Sequence, residues 1–167
     1  MAAEENTNWC QSVTGIVIRD GKVLLARHTY GAGKGRLIVP GGYVKFEESP
    51  QEAVVREVLE ETGITVRPLE VIGIRFNQKD WYVAFRAEYV SGQEHSDGDE
   101  NSEVLWMDTD EALSREDVPD LTKKLIVCAL SGNGMQKIDY NGTTRYGAYS
   151  FYGAGKSERS SNANESR

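Results

Sequence analysis

The amino-acid sequence predicts an α/β fold, a mixed β-sheet covered by helices on both faces. Three observations carry that prediction. Two β-rich runs, residues 12–19 and 22–27, flank Asp20-Gly21, a strong two-residue hairpin signal. One amphipathic helical segment beginning near Ser49 separates these strands from two further strand-like runs at 65–76 and 81–90. A last helical pattern spans residues 121–130.

The elements follow in order. After the hairpin comes a glycine-rich loop at residues 30–35, then a short apolar strand at 37–39. Pro40-Gly41-Gly42 reads as a loop built for backbone contact, a fixed proline ahead of two residues free to adopt positive φ. Ser49 is the expected helix N-cap, Pro50 suits the first helical position, and Glu52 stands where a capping-box partner belongs. Ala53, Val54, Val58 and Leu59 form the expected apolar stripe, and Gly63 is placed to end the helix in the left-handed conformation. Residues 77–80 read as a turn, 91–102 as a polar acidic loop, 104–107 as a short strand and 110–113 as helical.

On the central helix Glu57, Glu60 and Glu61 are spaced as neighbours, so their like charges cost a few tenths of a kcal/mol per pair. A divalent cation removes that repulsion. Carboxylate oxygens with no nearby His or Cys match a hard ion such as Mg2+ and leave room for water and phosphate. Arg56 is expected to bridge neighbouring carboxylates, Glu48 among them, and to hold their orientation.

Gly42, Glu48, Arg56, Glu57, Val58, Glu60, Glu61, Gly63 and Ile64 together fill the pattern G-x5-E-x7-R-E-U-x-E-E-x-G-U, where U is aliphatic. In this the chain resembles the Nudix (MutT-like) hydrolases. The resemblance implies the Nudix fold, an α/β/α sandwich around a central mixed sheet, over residues 8–130, between a tail at 1–7 and a second tail at 131–167. It implies Mg2+, with Mn2+ as a substitute, held first by Glu57 and Glu61, next by Glu60, and by the Gly41 carbonyl. Gly42, Glu48, Arg56 and Gly63 then shape the motif. The resemblance puts the general base on the helix or in a later loop. Glu57 is the choice made here, with Glu100 as the acidic-loop carboxylate over the metals and Glu103 as the second choice.

For the substrate, the resemblance implies a phosphate-binding role for Arg27 at the end of its strand, a role its bidentate fork suits. Arg36 adds positive charge in the following loop, together with His28 and Lys34. Tyr30, Trp81 and Tyr82 are the aromatic candidates for stacking on a base. The implied reaction is hydrolysis of a nucleoside diphosphate linked to another moiety, with ADP-ribose or another nucleotide sugar first. Oxidised or ordinary nucleoside triphosphates come second, and a non-catalytic nucleotide-sensing domain is the remaining alternative. The zinc ribbon and additional segment of the NADH-cleaving subgroup have no counterpart here, which argues against that variant.

Composition fits this reading. The chain has 167 residues, enough for one domain, and is 39% hydrophobic and 27% charged, as expected of a globular protein. Its net charge of −7 leaves no footprint for a nucleic-acid polymer, so a small phosphorylated nucleotide is the expected partner. No apolar run reaches bilayer-spanning length and the N-terminus lacks an apolar leader core, so no membrane partner is expected. Cys10 and Cys128 imply neither a metal knuckle nor a disulfide framework, which fits a cytoplasmic location. A homodimer through the sheet edge is compatible with the sequence. Beyond Ser131 the composition shifts to Gly, Asn, Ser and Tyr without apolar periodicity, and most of this segment is expected to be disordered. Its aromatics, Tyr140, Tyr146, Tyr149, Phe151 and Tyr152, have the alternative of docking on the domain or stacking on bases.

Overall fold

The computed structural model describes residues 10–78, 80–140 and 149–154. Strands β1 (Cys10–Arg19) and β2 (Lys22–His28) meet at a two-residue turn, with Ile18 opposite Val23. Asp20 and Gly21 both have positive φ, 50° and 76°, the geometry that joins right-twisted strands tightly. Beyond the turn the two strands part. β2 continues with β3 (Leu37–Ile38) on one side and β7 (Asn101–Asp108) on the other. β1 runs parallel to β6 (Asp80–Gly92), while β4 (Gly41–Tyr43) pairs antiparallel with its first half.

The rest of the chain covers and extends this sheet. Helix α1 (Pro50–Thr62) leads into β5 (Ile64–Phe76), which pairs antiparallel with β6. Helices α2 (Thr109–Ser114) and α3 (Asp120–Ser131) follow β7. Then come β8 (Met135–Ile138), paired with β5, and β9 (Phe151–Gly153), paired with β8. Among the described residues the strand order is β3-β2-β1-β6-β5-β8-β9, with β4 on β1 and β7 on β2.

Strand alternation divides the apolar side chains between two cores. Val13, Val17, Leu24 and Phe85 pack with Ala53, Val54 and Val58 of α1. Ile16, Val23, Leu25 and Met107 pack on the opposite face with Ala112, Leu125, Ile126 and Ala129 of α2 and α3. The result is the expected α/β/α sandwich around a mixed sheet. Burying each of the larger aliphatic side chains contributes roughly 1.5–3 kcal/mol.

Two segments differ from their sequence reading. Pro40-Gly41-Gly42 is no free loop, because Gly41 and Gly42 pair with Thr14 and Val13 of β1 and so are locked into the sheet. Within the segment after Ser131, expected to be mostly disordered, residues 135–138 form β8 on the free edge of β5 and residues 151–153 form β9 on β8. Tyr152 closes the α1 core there, its ring edge-on to Phe85 at 5.7 Å and its hydroxyl accepting from Gln51 Nε2 at 3.3 Å. Strands of four and three residues are too short to show a period, so only the pairing with β5 reveals them. The expected tail at residues 1–7 and Tyr146 lie outside the described residues. No helix among the described residues is long and apolar enough to cross a membrane.

Candidate active site

Helix α1 presents the carboxylates, and its ends are set by local chemistry. Ser49 Oγ accepts from the Glu52 N–H at 3.3 Å, while the Glu52 carboxylate accepts from the Ser49 N–H at 2.8 Å. Gly63, at φ 74°, ends the helix by donating its N–H to the Leu59 carbonyl at 2.9 Å. The buried stripe is Ala53, Val54, Val58, Glu61 and Thr62. Leu59, expected in it, is instead 45% exposed. Positions 54, 58, 61 and 62 follow the i, i+4, i+7, i+8 spacing of a face turned to the sheet, and residue 59 lies off it.

The same geometry splits the glutamate trio. Glu61 is only 3% exposed, and its carboxylate accepts from the Gly41 N–H at 3.3 Å. Burial pushes its carboxyl up to about 8, with the charges of Glu57, Glu100 and Asp97 adding to the effect and the Gly41 N–H opposing it. Glu57, one turn earlier, lies against Gly42: a Cβ there would stand 2.5 Å from its Cδ. Glu60 does not join them inside. Its side chain is 55% exposed and pairs with Arg56 at 3.1 Å and with Lys45 at 3.8 Å. Three residues from Glu57 along α1, it turns toward solvent.

Arg56 organises the outer side of the cluster. It donates twice to Glu48, at 2.7 and 2.8 Å, once to Glu57 at 2.5 Å and once to the Tyr43 carbonyl at 3.0 Å. The guanidinium holds the Glu48 carboxyl down to about 2, well below its ordinary value. A paired cation thus orients Glu57 from one side while Gly42 confines it from the other.

Strand alternation sets Arg27 in line with Val23 and Leu25 on β2. Val23, Leu25 and Arg27 share the face covered by α2 and α3, away from Glu57 and Glu61. Arg27 is tied there to Glu103 at 2.8 Å, to Asp117 at 3.1 Å and to the Gly35 carbonyl at 2.9 Å. Glu103, its cross-strand partner, is engaged in that network. Arg36 donates to the Glu116 carbonyl at 2.7 Å, which ties it to the segment before α3. Trp81 is exposed and stands edge-on to Phe76 at 5.2 Å, at the tip of the β5–β6 hairpin.

Glu100 and Tyr30 are coupled to the carboxylates through charge. The Tyr30 hydroxyl donates to Glu100 at 3.3 Å, and the charge of Glu100 is felt at Glu61. Asp97, whose charge is felt at Glu61 and at His28, is not singled out by the sequence, and His28 enters there only for its charge. His28 follows Leu24 and Ala26 in strand alternation, opposite in sense to Arg27. No signal announced the register slip that sets Asn101 opposite His28.

The donor chemistry suits a hard divalent ion: Glu57, Glu61 and the Gly41 carbonyl offer oxygen only, and a carboxyl raised by burial first and like charges second is one that a cation would ionise. Among the described residues no three His, Cys, Asp or Glu side chains are arranged to hold a metal as they stand. Arg56 occupies oxygens of both Glu57 and Glu60, so gathering them requires those carboxylates to turn.

The family model described as NUDIX domain matches residues 10–126. The chain belongs to the NUDIX family of hydrolases. Among its relatives is a MutT-like protein of Streptomyces ambofaciens, 38% identical over 107 residues, covering 62% of this chain and 67% of that one. An NAD-capped RNA hydrolase NudC of Actinobacillus succinogenes is 32% identical over 114 residues, covering 62% and 42%. An ADP-ribose pyrophosphatase of Methanocaldococcus jannaschii is 40% identical over 63 residues, covering 38% and 37%. This Nudix chain therefore matches about two fifths of the length of the last two. A solved NUDIX hydrolase of Nitrosomonas europaea superposes with TM-score 0.68 over 77% of this chain and 93% of that one, at 23% identity, a likeness of fold.

Proposed function

We propose that this Nudix protein is a Mg2+-dependent pyrophosphohydrolase of a nucleoside diphosphate linked to another moiety, with ADP-ribose or another nucleotide sugar as the preferred substrate. The observation that carries the proposal is the inward pair Glu57 and Glu61 against the Gly41-Gly42 strand, two carboxylates whose charges act on one another and whose oxygens a cation would hold. The pyrophosphatase and hydrolase names of the relatives support the same reaction class.

Glu57 and Glu61, with the Gly41 carbonyl, are the residues that would hold the ion, and Glu60 joins if it leaves Arg56. When bound, the ion supplies polarisation of the diphosphate oxygens and a more acidic water. Glu57 is our choice for the group that accepts a proton, its carboxylate bordered by Arg56 and Gly42. Glu100 brings a further carboxylate from the acidic loop, with Tyr30 steadying it.

A nucleoside triphosphate substrate is the second reading, supported by the name of the MutT-like relative. A small nucleotide is preferred over the RNA that the NudC relative is named for, because a net charge of −7 offers little to neutralise a phosphate backbone. A cytoplasmic setting agrees with two free cysteines. The deciding experiment incubates the protein with Mg2+ and a panel holding ADP-ribose, nucleotide sugars, nucleoside triphosphates and NAD-capped RNA, and follows phosphomonoester release. Fastest turnover of ADP-ribose or a nucleotide sugar is expected. Tight binding without turnover of any member would replace the enzyme by a sensor.

A further inference from the structure

The β2–β7 ladder slips beside the carboxylate cluster: Arg27 faces Glu103, but His28 faces Asn101, leaving Ser102 as the extra residue. Asn101 is 0% exposed, yet neither its carboxamide oxygen nor its nitrogen has a hydrogen-bond partner. The buried Nε2 of His28 is unpaired as well. Native proteins pair nearly all such groups, so each exception calls for a physical account.

The backbone around them is, by contrast, saturated. Asp97 Oδ1 accepts from the N–H groups of Asn101, at 2.9 Å, and Asp99, at 3.0 Å, and Ser96 Oγ donates to the Asn101 carbonyl. The loop thus holds Asn101 rigidly while leaving its side chain unspent. Tyr30 borders His28, its ring centroid 6.0 Å from that of the imidazole, and its hydroxyl makes a long bond to Glu100. Glu100 and Asp97 place negative charge around His28, which disfavours a phosphate at this spot. Burial also lowers the His28 pKa, keeping the ring neutral.

We propose that His28 and Asn101 form the recognition pocket for the substrate's nucleobase, opened when Tyr30 releases Glu100 and offers its ring to the base. An uncharged ring with N–H donors beside nitrogen acceptors satisfies all three unpaired atoms, and a carboxamide matches the donor–acceptor edge of adenine. A tyrosine ring supplies a stacking face. The assignment deepens the nucleotide reading of the site and rests on it.

The test is metal-free calorimetric titration of the full chain with AMP and, separately, with ribose 5-phosphate. AMP is expected to bind Asn101→Leu about 10- to 100-fold more weakly than the unaltered chain, with ribose 5-phosphate unchanged. The NMR signal of the Asn101 side-chain amide should move with AMP and stay fixed with ribose 5-phosphate. Should Asn101→Leu melt early, His28→Phe and the NMR readout on the unaltered chain carry the same comparison. No AMP binding, equal loss for both ligands, or an unmoved amide overturns the proposal. Because no turnover is measured, base recognition without hydrolysis would sink the enzyme reading and leave the pocket standing.

Discussion

Gly42 and Glu57 compete for the same space: a single added methyl on the glycine would stand 2.5 Å from the carboxyl carbon of the glutamate. The backbone of β4 therefore serves as a wall for the carboxylate. Gly42→Ala is expected to push Glu57 aside and lower kcat by about 100-fold, the cost of roughly 1 Å of misplacement. Steady-state kinetics beside a melting curve check it. Unchanged kcat in a folded variant would show that the wall has no catalytic consequence.

Glu57→Gln and Glu61→Gln remove charge without changing shape. Each is expected to lower kcat/KM by about 10²–10⁴-fold while circular dichroism stays native. Glu60→Gln, which alters an exposed side chain paired to Arg56 and Lys45, is expected to cost less than either. Equal losses in all three would restore the trio that helical spacing alone suggested.

Arg27 is predicted to be a structural residue. Its partners Glu103 and Asp117 lie on the α2/α3 face, so Arg27→Ala should cost about 1 kcal/mol of stability and leave kcat/KM within a few fold. A large rise in KM with unchanged stability would return it to phosphate binding.

Glu61 makes the metal-free protein pH-sensitive. Its folded carboxyl is raised from an ordinary 4.5 to about 8, so between those values the folded state holds a proton that the unfolded state has lost. That stability is present in full below about pH 4.5 and is lost as pH rises through about 8. Glu48 acts oppositely: held at about 2 by Arg56, it stabilises above its ordinary value and ceases to as pH falls toward 2. Urea titrations in chelator across pH 5–9 should show declining stability, flattened in Glu61→Gln, and Mg2+ should bind more tightly as pH rises. A flat profile in the unaltered chain would remove the raised Glu61.

Tyr152 tests whether the C-terminal strands belong to the folded unit. Losing its contacts with Phe85 and Gln51 in Tyr152→Ala should cost about 1–2 kcal/mol, read as a lower Tm. An unchanged Tm would mean that β8 and β9 only rest on the sheet.

Sequence by itself determined the hairpin at Asp20-Gly21, the capped start and glycine end of α1, the succession of strands and helices, and the NUDIX family. These rest on contacts a few residues apart, which composition and spacing record. Tertiary structure alone decided which face each side chain joined. Helical neighbours Glu57, Glu60 and Glu61 separated because only one stripe of α1 meets the sheet: Glu61 lies in it, Glu57 stands half-buried beside it and Glu60 faces solvent. Arg27 and His28, adjacent in the chain, went to opposite faces because a strand turns over at every residue, and the slip at Ser102 then set Asn101 opposite His28. Pairing across some 70 residues fixes those outcomes, and no local pattern encodes it.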